Sequence, residues 1–179
     1  YEGPGFDGGQ AGVYQARRTN REGWVGTSMG WGSIAQRVDA APLRGHTVRL
    51  RAKVKTGPAT DASAWLRVDR PKDQSGFFDN MNGRMIRAST WTDAAVEGPV
   101  AADATAVVFG GLVKGREAWF DGFALEVDDG AGGWKPVALA NSGFDDGAAG
   151  GDVGVGKGTS GASYALTAEA QAGGDHAAH

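Results

Sequence analysis

The segment at residues 119–127, WFDGFALEV, constrains the fold more than any other part of the chain. Its apolar residues recur at alternate positions, and successive side chains of a β-strand point to opposite faces. One face is therefore predicted to carry Trp119, Asp121, Phe123, Leu125 and Val127. Burying the carboxylate of Asp121 among hydrophobic neighbours is costly unless a cation or several donors pair with it. The pattern is typical of an antiparallel strand with one face in the core.

Similar alternating segments precede it and are separated by turn residues. In residues 47–55 every second residue is apolar, and Gly57-Pro58 follows. No segment has sustained helical periodicity, and Gly makes up 31 of the 179 residues, which favours many turns. Short strands with turns between them predict an all-β fold, a sandwich or a barrel, and we favour a sandwich of two antiparallel sheets. Its predicted shared core contains Leu50, Val54, Leu66, Val68, Val108, Phe123 and Leu125.

The composition changes after Val127, where a polar, Gly-rich stretch begins. Further on, Gly-Phe-Asp at residues 143–145 repeats the Gly-Phe-Asp of residues 5–7. We therefore predict a sandwich module at residues 1–136, with residues 137–179 as the start of a second, incomplete copy or a C-terminal extension. The alternative is that the tripeptide recurs by chance and that residues 137–179 cover the edge of the first sandwich.

Charge and composition argue against several classes of function. The net charge is −3 and the pI is about 5.6, which disfavours a nucleic-acid-binding protein. No apolar run approaches the roughly 20 residues that a membrane-spanning helix needs. The chain has no cysteine, which excludes disulfides, thiol nucleophiles and cysteine-ligated zinc. A chain that begins at Tyr1 is compatible with a trimmed exported protein or with a piece of a longer one.

The sequence contains no recognisable catalytic motif. G-x-S-x-G, H-E-x-x-H and phosphate-binding loop patterns are all absent. Of the three histidines, His46 is predicted in a turn, and His176 and His179 lie close to the last residue. We therefore predict that the chain is not an enzyme. A small glycan-active enzyme with two converging carboxylates stays open as a less favoured alternative.

Several segments, in this order, carry a family resemblance: residues 1–3 (YEG), 43–50 (LRGHTVRL), 65–69 (WLRVD), 78–81 (FDNM), 84–87 (RMIR), 108–110 (VFG) and 119–121 (WFD). The set resembles the non-catalytic N-terminal jelly-roll region, similar to carbohydrate-binding and galactose-binding-like modules, of bacterial tail-specific (C-terminal-processing) serine peptidases. Similar modules also occur in bacterial regulator-like proteins. The resemblance implies a galactose-binding-like jelly roll in an exported bacterial protein, periplasmic or extracellular. No position here matches the family's catalytic Ser and Lys, which belong to a downstream domain.

One face of the strand at residues 62–69 is the candidate ligand-binding surface. Trp65, Arg67 and Asp69 lie opposite the core residues Leu66 and Val68. An aromatic ring beside Arg and Asp suits a sugar, because the ring covers the apolar face of a pyranose while the polar groups bind its hydroxyls. If residues 77–87 fold back over the sheet, they add three more candidates, which are Asp79, Asn80 and Arg84. The alternative is a solvated face of Arg–Asp pairs in which Trp65 lies beneath that loop.

A structural calcium ion is the one cofactor that the resemblance to sugar-binding jelly rolls implies. Its predicted ligands are Asp7, near the N-terminus, and Asp121, in the last alternating segment. Calcium takes about six to eight oxygen ligands, some of them backbone carbonyls. The alternative is that Asp121 accepts hydrogen bonds from backbone or Arg donors.

Two functional hypotheses follow. The chain binds a glycan or cell-wall polymer, or it docks on a downstream peptidase domain. A glycan site requires an exposed aromatic ring beside polar groups, whereas a docking module requires a contiguous exposed apolar patch of about several hundred Å². The orientation of the Trp residues in the fold therefore decides between them.

Overall fold

A computed structural model of the chain describes residues 12–16, 31–139, 142, 156–157 and 164–168. These residues form the strands β1 (Gly12–Ala16), β2 (Trp31–Asp39), β3 (Thr47–Thr56), β4 (Asp61–Asp69), β5 (Ser75–Asp79), β6 (Thr92–Pro99), β7 (Ala106–Lys114), β8 (Glu117–Asp128), β9 (Trp134–Val137), β10 (Gly156–Lys157) and β11 (Tyr164–Ala168). The helical elements in these ranges are two single 3-10 turns, Ala41–Leu43 and Pro71–Asp73. Neither is long or apolar enough to cross a membrane.

The strands form two antiparallel sheets. The six-stranded sheet has the order β11-β1-β8-β3-β6, and β9 pairs with β8 beside β1. The five-stranded sheet has the order β10-β2-β7-β4-β5. Several pairs of consecutive strands, such as β3 and β4 or β7 and β8, belong to different sheets, so the chain crosses repeatedly between the two layers. The prediction of an all-β, two-sheet antiparallel sandwich is confirmed.

The core lies between the sheets and is filled by alternate residues of β3, β4, β7 and β8. Six of the seven predicted core residues belong to it: Leu50, Val54, Leu66, Val68, Phe123 and Leu125. The prediction for Val108 is wrong, because this residue lies on the outer face of the five-stranded sheet. Its neighbours Val107 and Phe109 fill the core instead. Since β7 is apolar on both faces, its sequence does not reveal which residues point inward.

A β-bulge in β8 changes which residues face the core. Arg51 of β3 is opposite Ala124, but Lys53 is opposite Asp121, so β8 has one extra residue in this interval. Gly122 provides the left-handed backbone conformation there, with φ of +57°. The prediction that all five alternating residues of 119–127 share one face is therefore wrong. The core side carries Phe120, Phe123 and Leu125, while Asp121 and Trp119 lie outside the main core cluster.

The predicted domain boundary at residue 136 lies inside the part of the chain that contacts the sandwich. Val137 and Leu139 pack against the core, and the backbone N–H of Phe123 donates to the carbonyl of Ser142 at 3.1 Å. β10 pairs with β2, and β11 pairs with β1. These strands extend the edges of both sheets. The second Gly-Phe-Asp at residues 143–145 lies outside the described residues, so the incomplete second copy stays a prediction.

Candidate ligand-binding surface

The outer face of the five-stranded sheet carries the residues of β4 that the sequence selects. Leu66 and Val68 point into the core, so alternation directs Trp65, Arg67 and Asp69 outward. The register of β2, β5 and β7 aligns further outward residues with them. We call this surface the Trp65 face; it comprises Ala35, Arg37, Trp65, Arg67, Asp69, Phe78, Ala106, Val108 and Leu112.

Trp65 is the floor of this face and not its exposed platform. Its side chain is on the predicted face, but the residue is only 8% exposed and belongs to a buried cluster with Ala106 and Val108 of β7. The indole Nε1 donates to the carbonyl of Gly111 at 3.2 Å, which satisfies its one polar group. The expectation that this ring is open to a sugar is therefore wrong. The face of the ring is covered by the protein itself.

The exposed ring of the Trp65 face belongs to Phe78. Phe78 is 57% exposed, and among the residues that the structure describes it is the one large hydrophobic residue that is exposed. It pairs with Arg67 across β5 and β4, and its ring centroid lies 6.5 Å from that of Trp65, tilted by 58°. The preceding residue, Phe77, packs against the core. Successive residues of β5 thus place one ring inside the sandwich and one outside.

Polar groups border the rings of Trp65 and Phe78. Arg67 donates from Nε to one carboxylate oxygen of Asp69 at 2.6 Å and from an Nη to the other at 3.3 Å. The Arg67 guanidinium lies 5.9 Å from the centroid of the Trp65 ring. Arg37 of β2 approaches Asp69 to 3.7 Å from the other side. One carboxylate thus lies between two guanidinium groups beside the aromatic surface.

The other three predicted residues form a separate turn. Asp79 accepts from the backbone N–H of Met81 at 2.7 Å and from an Nη of Arg84 at 2.6 Å. Asn80 accepts from the backbone N–H of Asn82 at 3.1 Å. Asp79 is opposite the core residue Leu66 in the register, so it lies on the core side of β5 and not on the side of Trp65. These contacts stabilise the turn, and the role of Asp79, Asn80 and Arg84 in ligand binding stays a prediction.

The outer face of the six-stranded sheet also carries aromatic residues, but their rings contact the chain's own cations. The Nζ atom of Lys55 lies 4.5 Å from the ring centroid of Trp119 and 5.0 Å from that of Trp91. Lys55 is only 9% exposed, and this burial lowers the pKa of its ammonium group, an effect that the nearby Glu117 carboxylate partly offsets. The cation therefore occupies the space between the two rings.

A second cation–ring contact lies at the other end of the same face. The Arg49 guanidinium is 4.2 Å from the ring centroid of Trp134. Arg49 and Arg51 both bind the Glu126 carboxylate, at 2.7 and 2.9 Å. Burial acts to raise the pKa of Glu126, but the hydrogen bonds from the two arginines outweigh it and hold that pKa below its usual range. This surface is a network of paired charges.

Asp121, the described member of the predicted calcium pair, is 2% exposed and accepts from the backbone N–H of Gly122 at 2.7 Å. It is opposite Lys53 in the register of β3 and β8. No group of three or more His, Asp or Glu side chains able to hold a metal ion occurs within the ranges that the structure describes. Asp7 lies outside those ranges, as does Trp24. The calcium site therefore stays a prediction.

Comparison with known proteins supports the fold. No model of a known protein family matches the chain. The carbohydrate-binding module of PbXyn10C, solved without ligand, superposes with a TM-score of 0.50 at 16% identity, covering 92% of this chain and 89% of the module. The CBM22-1–GH10 modules of xylanase 10B from Clostridium thermocellum, complexed with xylohexaose, give a TM-score of 0.40 at 11% identity, covering 74% and 31%. The first of these likenesses shows that the chain has the jelly-roll fold of carbohydrate-binding modules.

A match at higher identity comes from a protein of a different kind. The chain is 32% identical over 100 residues to YbfP of Bacillus subtilis (strain 168), named an uncharacterized HTH-type transcriptional regulator. The matched region is 54% of this chain and 34% of the regulator. The chain thus spans about a third of that relative's length. This similarity does not extend to the whole regulator.

Proposed function

We propose that the chain is a non-catalytic binding module for a glycan or cell-wall polymer and that the Trp65 face is its binding site. The observation that carries this proposal is the exposed ring of Phe78 beside the Arg67–Asp69 pair. A ring of this kind covers the apolar C–H face of a pyranose, and neighbouring charged groups hydrogen-bond its hydroxyls. The fold of carbohydrate-binding modules supports the same proposal.

Each residue of the face has a distinct role in this proposal. Phe78 stacks on the sugar ring. Asp69 accepts hydrogen bonds from sugar hydroxyls, and Arg67 and Arg37 donate to hydroxyl oxygens, since a guanidinium has five N–H donors in a fixed fork. Trp65 supports Phe78 from below and keeps the floor rigid. The affinity for a single short glycan is modest, because the cost of ordering both partners offsets much of the interaction energy.

The alternative function is docking, either on a downstream peptidase domain, as the family resemblance implies, or within a longer regulator, as the match to YbfP suggests. Docking of this kind uses a contiguous exposed apolar patch. The Trp65 face instead presents one exposed ring bordered by ion pairs, which favours a sugar. In the favoured context the module is an accessory part of an exported bacterial protein. The same fold in a regulator would serve as its ligand-sensing part.

A glycan array followed by calorimetric titration tests the proposal. We expect the parent chain to bind at least one glycan or cell-wall polymer, Phe78→Ala to weaken that binding about 10-fold or more, and Phe78→Trp to retain it. The matched control is Arg84→Ala, which removes an arginine–aspartate pair of the turn at residues 79–84 and should leave binding unchanged. Binding by Phe78→Ala equal to that of the parent would assign the site elsewhere. A parent that binds nothing on the array would favour the docking alternative.

A further inference from the structure

A pocket at one end of the sandwich is separate from the Trp65 face. Residues 56–61, which connect β3 to β4, form one wall, and residues 87–89 form the other. Its volume is about 500 Å³, which is within the range of about 300–1,000 Å³ that is usual for small-molecule sites. The pocket lies where the chain closes the gap between the two sheets, so both sheets position its walls.

Hydrogen bonds fix both walls before any ligand arrives. The backbone N–H of Thr56 donates to the carbonyl of Ala88 at 2.7 Å, and Ala62 and Ile86 exchange two backbone hydrogen bonds of 3.0 and 2.7 Å. The Thr60 hydroxyl accepts from the backbone N–H of Arg116 at 3.1 Å. A binding site held by such contacts loses little freedom when it is occupied.

The pocket contains one oriented guanidinium group. Arg87 binds both carboxylate oxygens of Asp61, one through Nε and the other through an Nη at 2.9 Å. The Asp61 side chain is 12% exposed, whereas that of Arg87 is 78% exposed. The carboxylate is thus the buried anchor and the guanidinium is the accessible partner. The hydrogen bond from Arg87, with a smaller contribution from the nearby Lys114, lowers the pKa of Asp61 and keeps it ionised.

A guanidinium has two edges that can each bind a carboxylate through two parallel hydrogen bonds. Asp61 occupies the edge formed by Nε and one Nη. The edge formed by the two Nη atoms remains for a second carboxylate. Lys114 is opposite Asp61 in the register of β7 and β4, and the Glu117 carboxylate lies against Gly57 at the same end of the sandwich. The free edge of Arg87, and not an excess of positive charge, is therefore what this pocket offers to an anionic group.

We infer that this pocket binds the carboxylate of a sugar acid, a uronic acid residue of the glycan that the module recognises. This inference rests on the proposed glycan-binding function and names a substrate class for it. The ligand carboxylate binds the free edge of Arg87, and the ring hydroxyls face the Ser89 hydroxyl and the backbone of residues 57–59. A neutral sugar lacks the group that Arg87 is oriented to bind, so the pocket selects acidic over neutral sugars.

The chain offers a matched control in the pair formed by Arg84 and Asp79. Arg84 lies in the same connection between β5 and β6 as Arg87, and its partner Asp79 is the last residue of β5; their side chains are 56% and 30% exposed. Arg84 does not line the pocket. If substitution of Arg87 lowers the affinity and substitution of Arg84 does not, the ligand binds in the pocket and is not attracted merely by the positive charge of this segment.

The test titrates the full chain with D-glucuronate, D-galacturonate, D-glucose, D-galactose and acetate, followed by amide NMR shifts and calorimetry. We expect saturable shifts at residues 56–61 and 87–89 with a uronate, about 10-fold weaker binding in Arg87→Gln, and no change in Arg84→Gln. Ser89→Leu fills the pocket without touching the ion pair and should abolish uronate binding while the melting temperature stays the same. This variant keeps the test valid if Arg87→Gln unfolds.

Each outcome of the titration supports or overturns the inference. Equal affinity for a uronate and its neutral sugar, or for a uronate and acetate, overturns the assignment to a sugar acid. No shift of residues 56–61 and 87–89 with either uronate overturns the pocket as a binding site. Phe78→Ala should keep its uronate binding in the pocket. The two proposed sites can therefore fail separately. If the Trp65 face binds a neutral glycan but the pocket binds no uronate, only the pocket is refuted. If the pocket binds a uronate but the Trp65 face binds no glycan, only the Trp65 face is refuted.

Discussion

The two outer faces of the sandwich use similar residues with different results. On the six-stranded sheet, Lys55 lies between Trp91 and Trp119, and Arg49 lies over Trp134. On the five-stranded sheet, the Phe78 ring is 57% exposed beside Arg67. The first face therefore places its cations on its own rings, whereas the second leaves one ring open to a ligand.

The difference shows that an aromatic residue next to Arg or Lys does not by itself define a binding site. A cation over an aromatic ring contributes about 0.5–2 kcal/mol, more where both are removed from water. Such a ring is already occupied, and a sugar must displace the cation to stack on it. A free ring has no such competitor. Three variants, in order of decreasing expected effect on stability, test this difference between the two faces.

The largest effect is expected from Trp65→Ala, which removes the floor of the Trp65 face. The indole is buried and hydrogen-bonded to Gly111, so we expect the free energy of unfolding to fall by about 3–5 kcal/mol. Urea denaturation followed by circular dichroism measures this loss. A loss below about 1 kcal/mol would mean that Trp65 is the open platform that the sequence predicts. The five-stranded sheet would then present two open rings, Trp65 and Phe78, in contrast to the covered rings of the six-stranded sheet.

An intermediate effect is expected from Glu126→Gln, which breaks the charge network of the six-stranded sheet. Loss of the two arginine contacts should lower stability by about 1 kcal/mol at neutral pH. Because the pKa of Glu126 is lowered in the folded state, its stabilising contribution is present above the unfolded pKa of about 4.3 and is lost as the pH falls through the folded value.

The pH dependence of stability, measured from about pH 7 down to about pH 3, gives the second readout for this variant. Glu126→Gln should show a shallower loss of stability in acid than the parent. Glu97→Gln is the control, since Glu97 is half exposed and lies 3.8 Å from Arg49. Equal acid profiles for the parent and Glu126→Gln would show that these ion pairs do not stabilise this face.

The smallest effect on stability is expected from Phe78→Ala, the variant that should weaken glycan binding about 10-fold or more. An exposed ring contributes little to folding, so the change should stay within about 0.5 kcal/mol. Phe77→Ala is the matched control, because its ring packs against the core over Gly98 and its loss should lower stability by about 2–5 kcal/mol. Thermal unfolding of both variants measures the contrast. Similar losses would mean that Phe78 is a structural residue and not a ligand platform.

Alternation in the sequence was enough to predict the sandwich, most of the core and the outward direction of Trp65, Arg67 and Asp69. The alternation gave the wrong orientation where one extra residue in a strand changes which side chains face the core. The bulge at Gly122 separates Trp119 and Asp121 from Phe123 and Leu125, and a Gly in a strand is a weak signal for a bulge. Alternation in the pair Phe77-Phe78 could have indicated one inward and one outward ring, since neighbouring residues of a strand face opposite sides.

The amino-acid sequence was sufficient to predict the class of fold, because apolar side chains recur every second residue and no segment has the helical period that would supply a helix to cover a sheet. Which aromatic rings are covered depends on tertiary contacts. Trp65 belongs to a cluster with Ala106 and Val108, which are about 40 residues away in the chain, and Lys55 meets Trp91 and Trp119 only after three strands pair. The end pocket likewise requires Asp61 and Arg87 to meet where the chain closes the gap between the sheets. Exposure depends on neighbours from distant segments, and local sequence does not specify them.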